Sequence, residues 1–299
     1  MAIKSDWIAV DWGTTNLRAY AMQDATVLMQ ATSGDGMGKL APEGFEPALL
    51  ALIKDWDVAG VPIVACGMVG SRQGWVEAPY RSVPCTPMAH DLTRAPTHQS
   101  GLSVSIVPGL SQQNPADVMR GEETQIAGFL SLNAGWDGVL CLPGTHTKWA
   151  HLSAGEVVSF QTFMTGEMFA MLSEASVLRH SVAAEGWDDS SFDEAVSAAI
   201  SKPERLAARL FGLRAEGLLQ NAKPTATRAA LSGFLIGAEL AAAKPYWLGQ
   251  NVAILGTGAQ AKAYQRSLGL QGVSAMLVDA ERATLAGLTA AHRSLKEKT

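Results

Sequence analysis

The residue pattern with the clearest chemical potential lies near the start of the chain. It reads Trp7-Ile8-Ala9-Val10-Asp11-Trp12-Gly13-Thr14-Thr15-Asn16-Leu17-Arg18. An apolar run, an acidic residue, a glycine-centred turn and a second strand-forming run predict a tight hairpin. Backbone N–H groups in such a turn suit an anion such as phosphate, and a carboxylate at the strand end can hold a divalent cation, directly or through water. An ordinary surface hairpin is the alternative interpretation of this stretch alone.

A related pattern occurs in the second half of the chain. It reads Val139-Leu140-Cys141-Leu142-Pro143-Gly144-Thr145-His146-Thr147-Lys148-Trp149. Strand, Gly-Thr turn and strand recur, so that Gly13-Thr14 aligns with Gly144-Thr145. One doubled hairpin is weak evidence of an internal repeat, and an exposed hairpin tip is the alternative for His146 and Lys148.

A third turn, Gly256-Thr257-Gly258, follows a predicted buried strand at 251–255 and precedes a predicted helix. Strand, glycine turn and helix form a nucleotide-loop pattern, because the missing side chains let the backbone meet a ligand at a helix N-terminus. The third glycine of a dinucleotide fingerprint is missing, so a Rossmann site is not compelling.

Two further loops carry candidate ligand contacts. The first, 67–75, follows a short apolar run that predicts a strand, and ligands of open α/β sheets gather at carboxyl ends of strands. It contains Arg72 and also Trp75, which either packs on a ligand or covers the edge of the core. In the second, Gly121 is followed by Glu122 and Glu123. This pattern predicts a helix start, where the helix dipole alone explains two acidic residues.

Length and composition set wider limits. The 299 residues favour two domains, which we place at 1–132 and 133–299. A net charge of -5 argues against nucleic acid or an anionic membrane as the main partner. Three cysteines without metal spacing predict free thiols in a reducing cytosol. Without a signal-peptide pattern or an apolar run near the ~18 residues that span a bilayer, we expect a cytoplasmic protein.

Taken in order, the three turns resemble the phosphate-1, phosphate-2 and adenosine motifs of the superfamily that contains sugar kinases, hexokinase, actin and heat-shock ATPases. Residues 11–19 are similar to the Asp-x-Gly-Thr-Thr-Ser-x-Arg-Ala of glycerol- and xylulose-type kinases. Over essentially the whole chain, four stretches resemble the 2-dehydro-3-deoxygalactonokinase family. They are Gly67-Met68-Val69-Gly70-Ser71-Arg72, Met119-Arg120-Gly121-Glu122-Glu123-Thr124-Gln125, Leu142-Pro143-Gly144-Thr145-His146-Thr147-Lys148-Trp149 and Met164-Thr165-Gly166-Glu167.

The resemblance implies an α/β fold of two ribonuclease H-like (actin-like ATPase) domains around a nucleotide cleft. It also implies ATP-dependent phosphorylation of the 6-hydroxyl of 2-dehydro-3-deoxy-D-galactonate with Mg²⁺. Asp11 would hold the metal through water. The residues expected to face the γ-phosphate are Gly13, Thr14, Thr15, Asn16 and Arg18. Those expected at the β-phosphate are Gly144, Thr145, His146, Thr147 and Lys148, and those near adenosine and the α-phosphate are Gly256, Thr257 and Gly258.

The general base and the substrate contacts are less closely defined by the resemblance. Related kinases carry Gly-Asp-Gln where this chain has Gly121-Glu122-Glu123, so Glu122 is the expected base, with Glu123 or Asp117 as alternatives. The substrate carboxylate needs a cation, for which Arg72 is the first choice and Arg120 the second. The remaining expected substrate contacts are Gly70, Ser71, Trp75 and Glu123.

Two rival functions stay open on sequence grounds. One is a related kinase acting on another sugar or sugar acid. The other is a chaperone-like or actin-like protein that binds ATP as a switch. The sequence also leaves open the oligomeric state, a homodimer included, and the choice between the galactonate- and gluconate-derived epimers.

Overall fold

The computed structural model describes residues 5–57, 60–88 and 90–296. The strands are β1 Trp7–Trp12, β2 Leu17–Gln23, β3 Thr26–Ser33, β4 Pro62–Gly67, β5 Arg81–Ser82, β6 Thr93–Arg94, β7 Ser103–Ile106, β8 Leu110–Gln113, β9 Ala116–Met119, β10 Gly138–Leu142, β11 Thr147–Ser153, β12 Glu156–Phe163, β13 Val252–Leu255 and β14 Met276–Val278. The helices are α1 Phe45–Leu52, α2 Glu122–Leu132, α3 Thr165–Glu174, α4 Asp189–Ser201, α5 Leu206–Leu219, α6 Pro224–Ala242, α7 Lys244–Trp247, α8 Ala259–Gly269 and α9 Ala280–Lys296.

The chain forms two compact units. Unit 1 comprises the described residues of 1–137, 152–159 and 279–299, and unit 2 comprises 138–151 and 160–278. This division differs from the predicted boundary between residues 132 and 133, because the last helix, α9, belongs to unit 1 together with residues 152–159.

Unit 1 is organised on a six-stranded sheet of order β3-β2-β1-β4-β7-β6. The hairpin pair β1 and β2 is antiparallel, whereas β1, β4 and β7 run parallel. Side chains of β1 alternate between two cores: Ile8 and Val10 pack with Phe45 of α1, and Trp7 stacks on His292 of α9 at 4.4 Å between ring centroids. Because both faces are covered, the central strand is apolar almost throughout, as parallel sheets require.

Contact between α2 and α9 explains why the last helix belongs to unit 1. A Cβ atom added to Gly128 of α2 would lie 1.8 Å from the carbonyl oxygen of Ala283. One added to Gly287 of α9 would lie 1.9 Å from the carbonyl oxygen of Thr124. The backbones of the two helices therefore lie in direct contact. Only glycine allows this close approach, because any Cβ atom at these positions would clash.

Unit 2 is organised on the parallel strands β10, β13 and β14 of a sheet of order β12-β11-β10-β13-β14, to which it also contributes residues 147–151 of β11 and 160–163 of β12. Its apolar core combines these strands with α4, α6 and α8, and includes Trp149, Phe192 and Tyr264. Within the described ranges, none of the helices has the length and apolar character needed to cross a membrane.

One buried carboxylate of unit 1 joins two segments that are distant in sequence. Glu46 of α1 accepts hydrogen bonds from the backbone N–H groups of His98 at 2.8 Å and Gln99 at 2.7 Å, and contacts Nδ1 of His98 at 3.1 Å. Burial alone would raise the pKa of Glu46, but these hydrogen bonds outweigh it and hold the pKa below its ordinary value.

Replacing this residue, Glu46→Gln, should lower the free energy of unfolding at pH 7 by about 1–3 kcal/mol, because a charged acceptor is lost. Since folding lowers the carboxyl pKa, its contribution is present above the unfolded value of about 4.5 and disappears as pH falls through the folded pKa. Urea unfolding followed by circular dichroism at pH 7 and below pH 4 measures this difference. A difference between wild type and variant that persists unchanged in acid would contradict the assignment.

Candidate functional site

The first candidate site element is the hairpin between β1 and β2, which the structure confirms. Its turn closes through a hydrogen bond from the N–H of Gly13 to the carbonyl of Asn16 at 2.9 Å. Behind the turn, a Cβ atom added to Gly36 would lie 2.2 Å from the carbonyl carbon of Thr15 and 2.3 Å from the carbonyl oxygen of Thr14. Thr14, Thr15 and Asn16 are exposed. The turn is therefore supported from behind by backbone, and its polar groups face solvent.

Asp11 and Arg18 are cross-strand partners at the base of this hairpin. Nη1 of Arg18 donates to Oδ2 of Asp11 at 3.0 Å. Burial raises the pKa of Asp11, Arg18 counteracts part of this, and the negative charges of Glu281 and Glu122 add to the increase. The negative charges of two further carboxylates thus act on Asp11, which favours a cation in its vicinity.

Sequence reasoning missed Glu281, because nothing local connects a residue at the start of α9 with one in β1. Across the described ranges, no group of three or more His, Cys, Asp or Glu side chains is placed to chelate a metal ion directly.

The predicted helix start at Glu122 is confirmed as the first residue of α2. Its carboxylate is partly buried and accepts a hydrogen bond from the N–H of Arg120 at 3.1 Å. Glu123 points into the core, where it accepts from the N–H of Gly121 at 2.6 Å and from Oγ1 of Thr124 at 3.0 Å. Burial, with the negative charge of Glu122 adding to it, raises the pKa of Glu123 to about 8.

The alternatives to Glu122 are therefore differently placed. Glu123 is fully buried and mostly protonated at neutral pH, so the expected substrate contact at this residue is not supported by the geometry. Asp117 lies in β9 and accepts a hydrogen bond from the N–H of Val118 at 2.7 Å.

The sequence predicts that Trp75 either packs on a ligand or covers the edge of the core, and the structure supports the second interpretation. Its side chain is buried, its indole N–H donates to the carbonyl of Pro96 at 3.0 Å, and its ring packs against Trp12 and Phe45. The expected substrate contact at Trp75 therefore has no support in the geometry, because both its apolar surface and its donor are used within the core of unit 1.

The two candidate arginines differ strongly in environment. Arg72 is 79% exposed and pairs with Glu77 at 3.4 Å. Arg120 is 8% exposed, donates through Nη2 to the carbonyl of Ala78 at 2.7 Å, and lies 4.3 Å above the ring of Tyr80.

Among the described residues, Arg120 and the nearby loop carry buried donors that have no partner. The Nε and Nη1 atoms of Arg120, and Oγ of the neighbouring loop residue Ser71, have no hydrogen-bond partner in the part of the chain that the structure describes. A Cβ added to Gly70 would lie 2.9 Å from Nη1, so this loop covers the guanidinium closely. A buried cation with unsatisfied N–H groups is costly unless an acceptor meets it.

Unit 2 carries the second predicted hairpin, between β10 and β11. Nε2 of Gln260 donates to the carbonyl of Gly144 at 3.0 Å, and the N–H of Glu167 donates to the carbonyl of Thr145 at 2.9 Å. A Cβ added to Gly166 would lie 2.2 Å from the same Gly144 oxygen. Like the first hairpin, this turn is supported from behind by a close glycine contact.

Three side chains of this hairpin make internal contacts. His146 contacts Glu167 at 2.6 Å between Nε2 and Oε2. Lys148 is buried, and its Nζ donates to the carbonyl of His146 at 3.2 Å. Thr147 is fully buried, with Oγ1 2.9 Å from the hydroxyl of Tyr264. The hydroxyl of Thr147 is directed into the core, so the phosphate contact expected at this residue could come only from its backbone N–H.

The predicted strand, glycine turn and helix at Gly256-Thr257-Gly258 are confirmed, with β13 before the turn and α8 after it. Gly256 has a φ of +140°, which favours glycine, and its N–H donates to the carbonyl of Val278 at 2.7 Å. Gly258 is the N-cap of α8 and Thr257 is exposed.

A cavity of about 370 Å³ lies beside the second hairpin and the start of α8. This volume is in the range of small-ligand sites. Its lining residues are Gly144, Thr145, Thr165, Gly166, Phe169, Trp187, Arg228, Ser232, Leu235, Ile236, Ala259, Gln260, Ala263 and Tyr264. The guanidinium of Arg228 lies 5.0 Å from the ring centroid of Phe169. Sequence reasoning missed this aromatic and cationic wall, since its members come from separate helices.

Comparison with known proteins places these features in a family. The family model for 2-keto-3-deoxy-galactonokinase matches residues 11–291. A Rhizobium meliloti protein assigned as a 2-dehydro-3-deoxygalactonokinase is 38% identical over 97% of this chain and 97% of its own length. The Escherichia coli 2-dehydro-3-deoxygalactonokinase is 33% identical over 94% of this chain and 96% of its own length.

A crystal structure from Sinorhizobium meliloti, also assigned to this activity, superposes with a TM-score of 0.89 at 37% identity, covering 97% of this chain and 96% of that one. The likeness confirms the expected α/β, actin-like ATPase fold. Since both the family match and the relatives above 30% identity extend over nearly the whole chain, this protein belongs to the 2-keto-3-deoxy-galactonokinase family.

Proposed function

We propose that this protein transfers the γ-phosphoryl group of ATP to the 6-hydroxyl of 2-dehydro-3-deoxy-D-galactonate, with Mg²⁺, in galactonate breakdown. The observation that carries the proposal is the relation to kinases assigned to this substrate along almost their full lengths. The same observation does not favour a chaperone-like nucleotide switch.

Unit 2 would bind the nucleotide. The cavity beside Gly144 and Thr145 offers an apolar wall for the adenine, and the turn at 256–258 precedes a helix N-terminus that favours phosphate. His146 and the backbone of the hairpin would contact the β-phosphate. Phosphoryl transfer depends on such positioning and on charge neutralisation, with little covalent chemistry for the protein to perform.

Unit 1 would bind the metal and the γ-phosphate. Carboxylate oxygens are the ligands that Mg²⁺ prefers, with several waters retained, and the raised pKa of Asp11 among further carboxylates fits a cation held through water. When bound, Mg²⁺ neutralises charge on the phosphates. Arg18 and the exposed polar tip at 13–16 would hold the γ-phosphoryl oxygens.

Exchanging the metal-site carboxylate for its amide, Asp11→Asn, should lower kcat by at least ~100-fold, because charge neutralisation at the transferring group is lost. Turnover is measured by coupling ADP formation to NADH oxidation. The exposed Asp55, outside the site, provides the control Asp55→Asn, which should keep wild-type activity. Undiminished turnover of Asp11→Asn would remove this residue from the mechanism.

Glu122 is the proposed general base, since it is partly buried and electrostatically coupled to Asp11. It would orient the substrate hydroxyl and accept its proton as the transition state develops. The neighbouring Glu123 offers a matched comparison, because its raised pKa makes it mostly neutral at pH 7.

We expect Glu122→Gln to lower kcat by ~10²–10⁴-fold with little change in KM. Glu123→Gln, which replaces one neutral group with another, should lower kcat by less than ~10-fold under the same conditions. Steady-state kinetics of both variants at pH 7 provide the measurement. The opposite ranking would transfer the role of base to Glu123.

The substrate carboxylate is assigned to Arg72 or Arg120. Arg72 is accessible, but its exposed pairing with Glu77 is of a weak kind. The unpartnered N–H groups favour Arg120, which a ligand would reach on movement of the loop at 70–80 that covers it.

On this basis Arg120→Lys, which keeps the charge but loses the planar fork, should raise KM for the keto acid by ~10-fold or more while KM for ATP stays within twofold. Arg72→Ala should change neither constant by more than about threefold. If Arg72→Ala instead produces the larger increase for the keto acid, the carboxylate binds at Arg72.

A cytoplasmic location completes the proposal, supported by the free thiols of Cys66, Cys85 and Cys141. A homodimer is also proposed, supported by the exposed apolar side chains Phe211, Leu218 and Leu219 on α5.

A further inference from the structure

A buried carboxylate beneath the cavity of unit 2 is unused by the mechanism above. Glu239 of α6 is 3% exposed. Its hydrogen-bond donors in the described part of the chain are all neutral: Trp149, Thr165 and Tyr264. A buried charge without a cationic partner is costly. Packing alone therefore does not explain why a carboxylate occupies this position.

The hydrogen bonds of Glu239 use both oxygens. Oε1 accepts from the indole N–H of Trp149 at 2.7 Å. Oε2 accepts from the hydroxyl of Tyr264 at 2.7 Å and from the hydroxyl of Thr165.

The carboxylate also fixes a longer chain of hydroxyl groups. Each hydroxyl has one proton to donate. Tyr264 gives its proton to Glu239, so Thr147, 2.9 Å away, must donate to the oxygen of Tyr264. The orientation of the Thr147 hydroxyl at the start of β11 therefore depends on the charge of a residue on α6.

The partners of Glu239 come from the segments that line the cavity. Thr165 begins α3 and precedes Gly166, which contacts Gly144 closely. Tyr264 lies in α8 one turn after Gln260, whose amide donates to the carbonyl of Gly144. Glu239 thus joins the two helices that support the turn of the second hairpin.

Thr147 and Trp149 connect the same carboxylate to the hairpin itself, because both lie in β11 directly after the turn. The side chain of Glu239 is consequently connected to the hairpin and to both helices, α3 and α8, that contact its turn.

We propose that Glu239 is a positioning residue for nucleotide binding, which holds the hairpin at 144–147 and the first turns of α3 and α8 in the arrangement that receives ATP. It acts through Trp149, Thr165 and Tyr264 and does not touch the nucleotide. The inference rests on the proposed function, since ATP is assigned to this cavity.

The substitution Glu239→Gln keeps the volume and removes the charge. The amide oxygen can still accept from Trp149, but the amide N–H groups meet two hydroxyls that formerly donated, so both hydroxyls must turn and the chain toward Thr147 reverses. Burial raises the pKa of Glu239 to about 7, so glutamine resembles the protonated form of the residue.

Isothermal titration calorimetry with ADP, without sugar acid, measures the effect on the intact protein. We expect Kd for ADP and KM for ATP to rise by roughly 10-fold in Glu239→Gln, the scale for groups that orient binding residues, while KM for the keto acid stays within twofold. Tyr264→Phe, which removes only the hydroxyl between Glu239 and Thr147, should shift Kd in the same direction and replaces the first variant if that one does not fold.

Glu46→Gln is the matched control, because Glu46 is also buried with three hydrogen-bond contacts but lies in unit 1. It should lower the melting temperature without changing Kd for ADP. If Glu239→Gln or its replacement binds ADP like wild type while melting earlier, Glu239 is merely structural and the proposal is wrong. If wild type itself fails to bind ADP, the proposed function fails as well.

Discussion

Close approach of backbone to backbone behind each Gly-Thr turn is the constraint on which both parts of the candidate site depend. Gly36 meets the first turn and Gly166 meets the second, and in each case a Cβ atom would lie 2.2 Å from a backbone atom of the turn. A turn that is to present its polar groups to an anion must be held from the other side. Glycine permits this support without filling the space that a side chain would need.

The two turns are completed in different ways. The first carries a cross-strand ion pair, Asp11 and Arg18, at its base, within an excess of negative charge. In the second, the hydroxyl of Thr147 points into the core, where it joins a network of neutral donors around Glu239. Two hairpins with similar local patterns thus have different surroundings, and under the proposed function the first would receive the metal and the transferring phosphate and the second the nucleotide.

Local patterns predicted the local structure well. The hairpin at 7–23, the helix start at Glu122 and the turn before α8 are each determined by glycine, capping and strand-forming residues within a few positions. What could not be predicted depends on distant partners. Trp75 is a core residue because Phe45 and Pro96 receive it, and the hydroxyl of Thr147 is taken by a tyrosine 117 positions later. In neither case do the residues next to Trp75 or Thr147 in the sequence indicate the distant partner.

The glycine contact between α2 and α9 has a consequence for the order in which the two units can assemble during synthesis. Domains generally fold as units during synthesis, N-terminal parts first, but unit 1 includes segments that precede unit 2 and a segment, 279–299, that follows it. The charged groups around Asp11 include Glu281, and this residue is synthesised after all of unit 2. Unit 2 can therefore complete its own core before α9 is available to unit 1, and the surroundings of Asp11 are assembled only after α9 has been made.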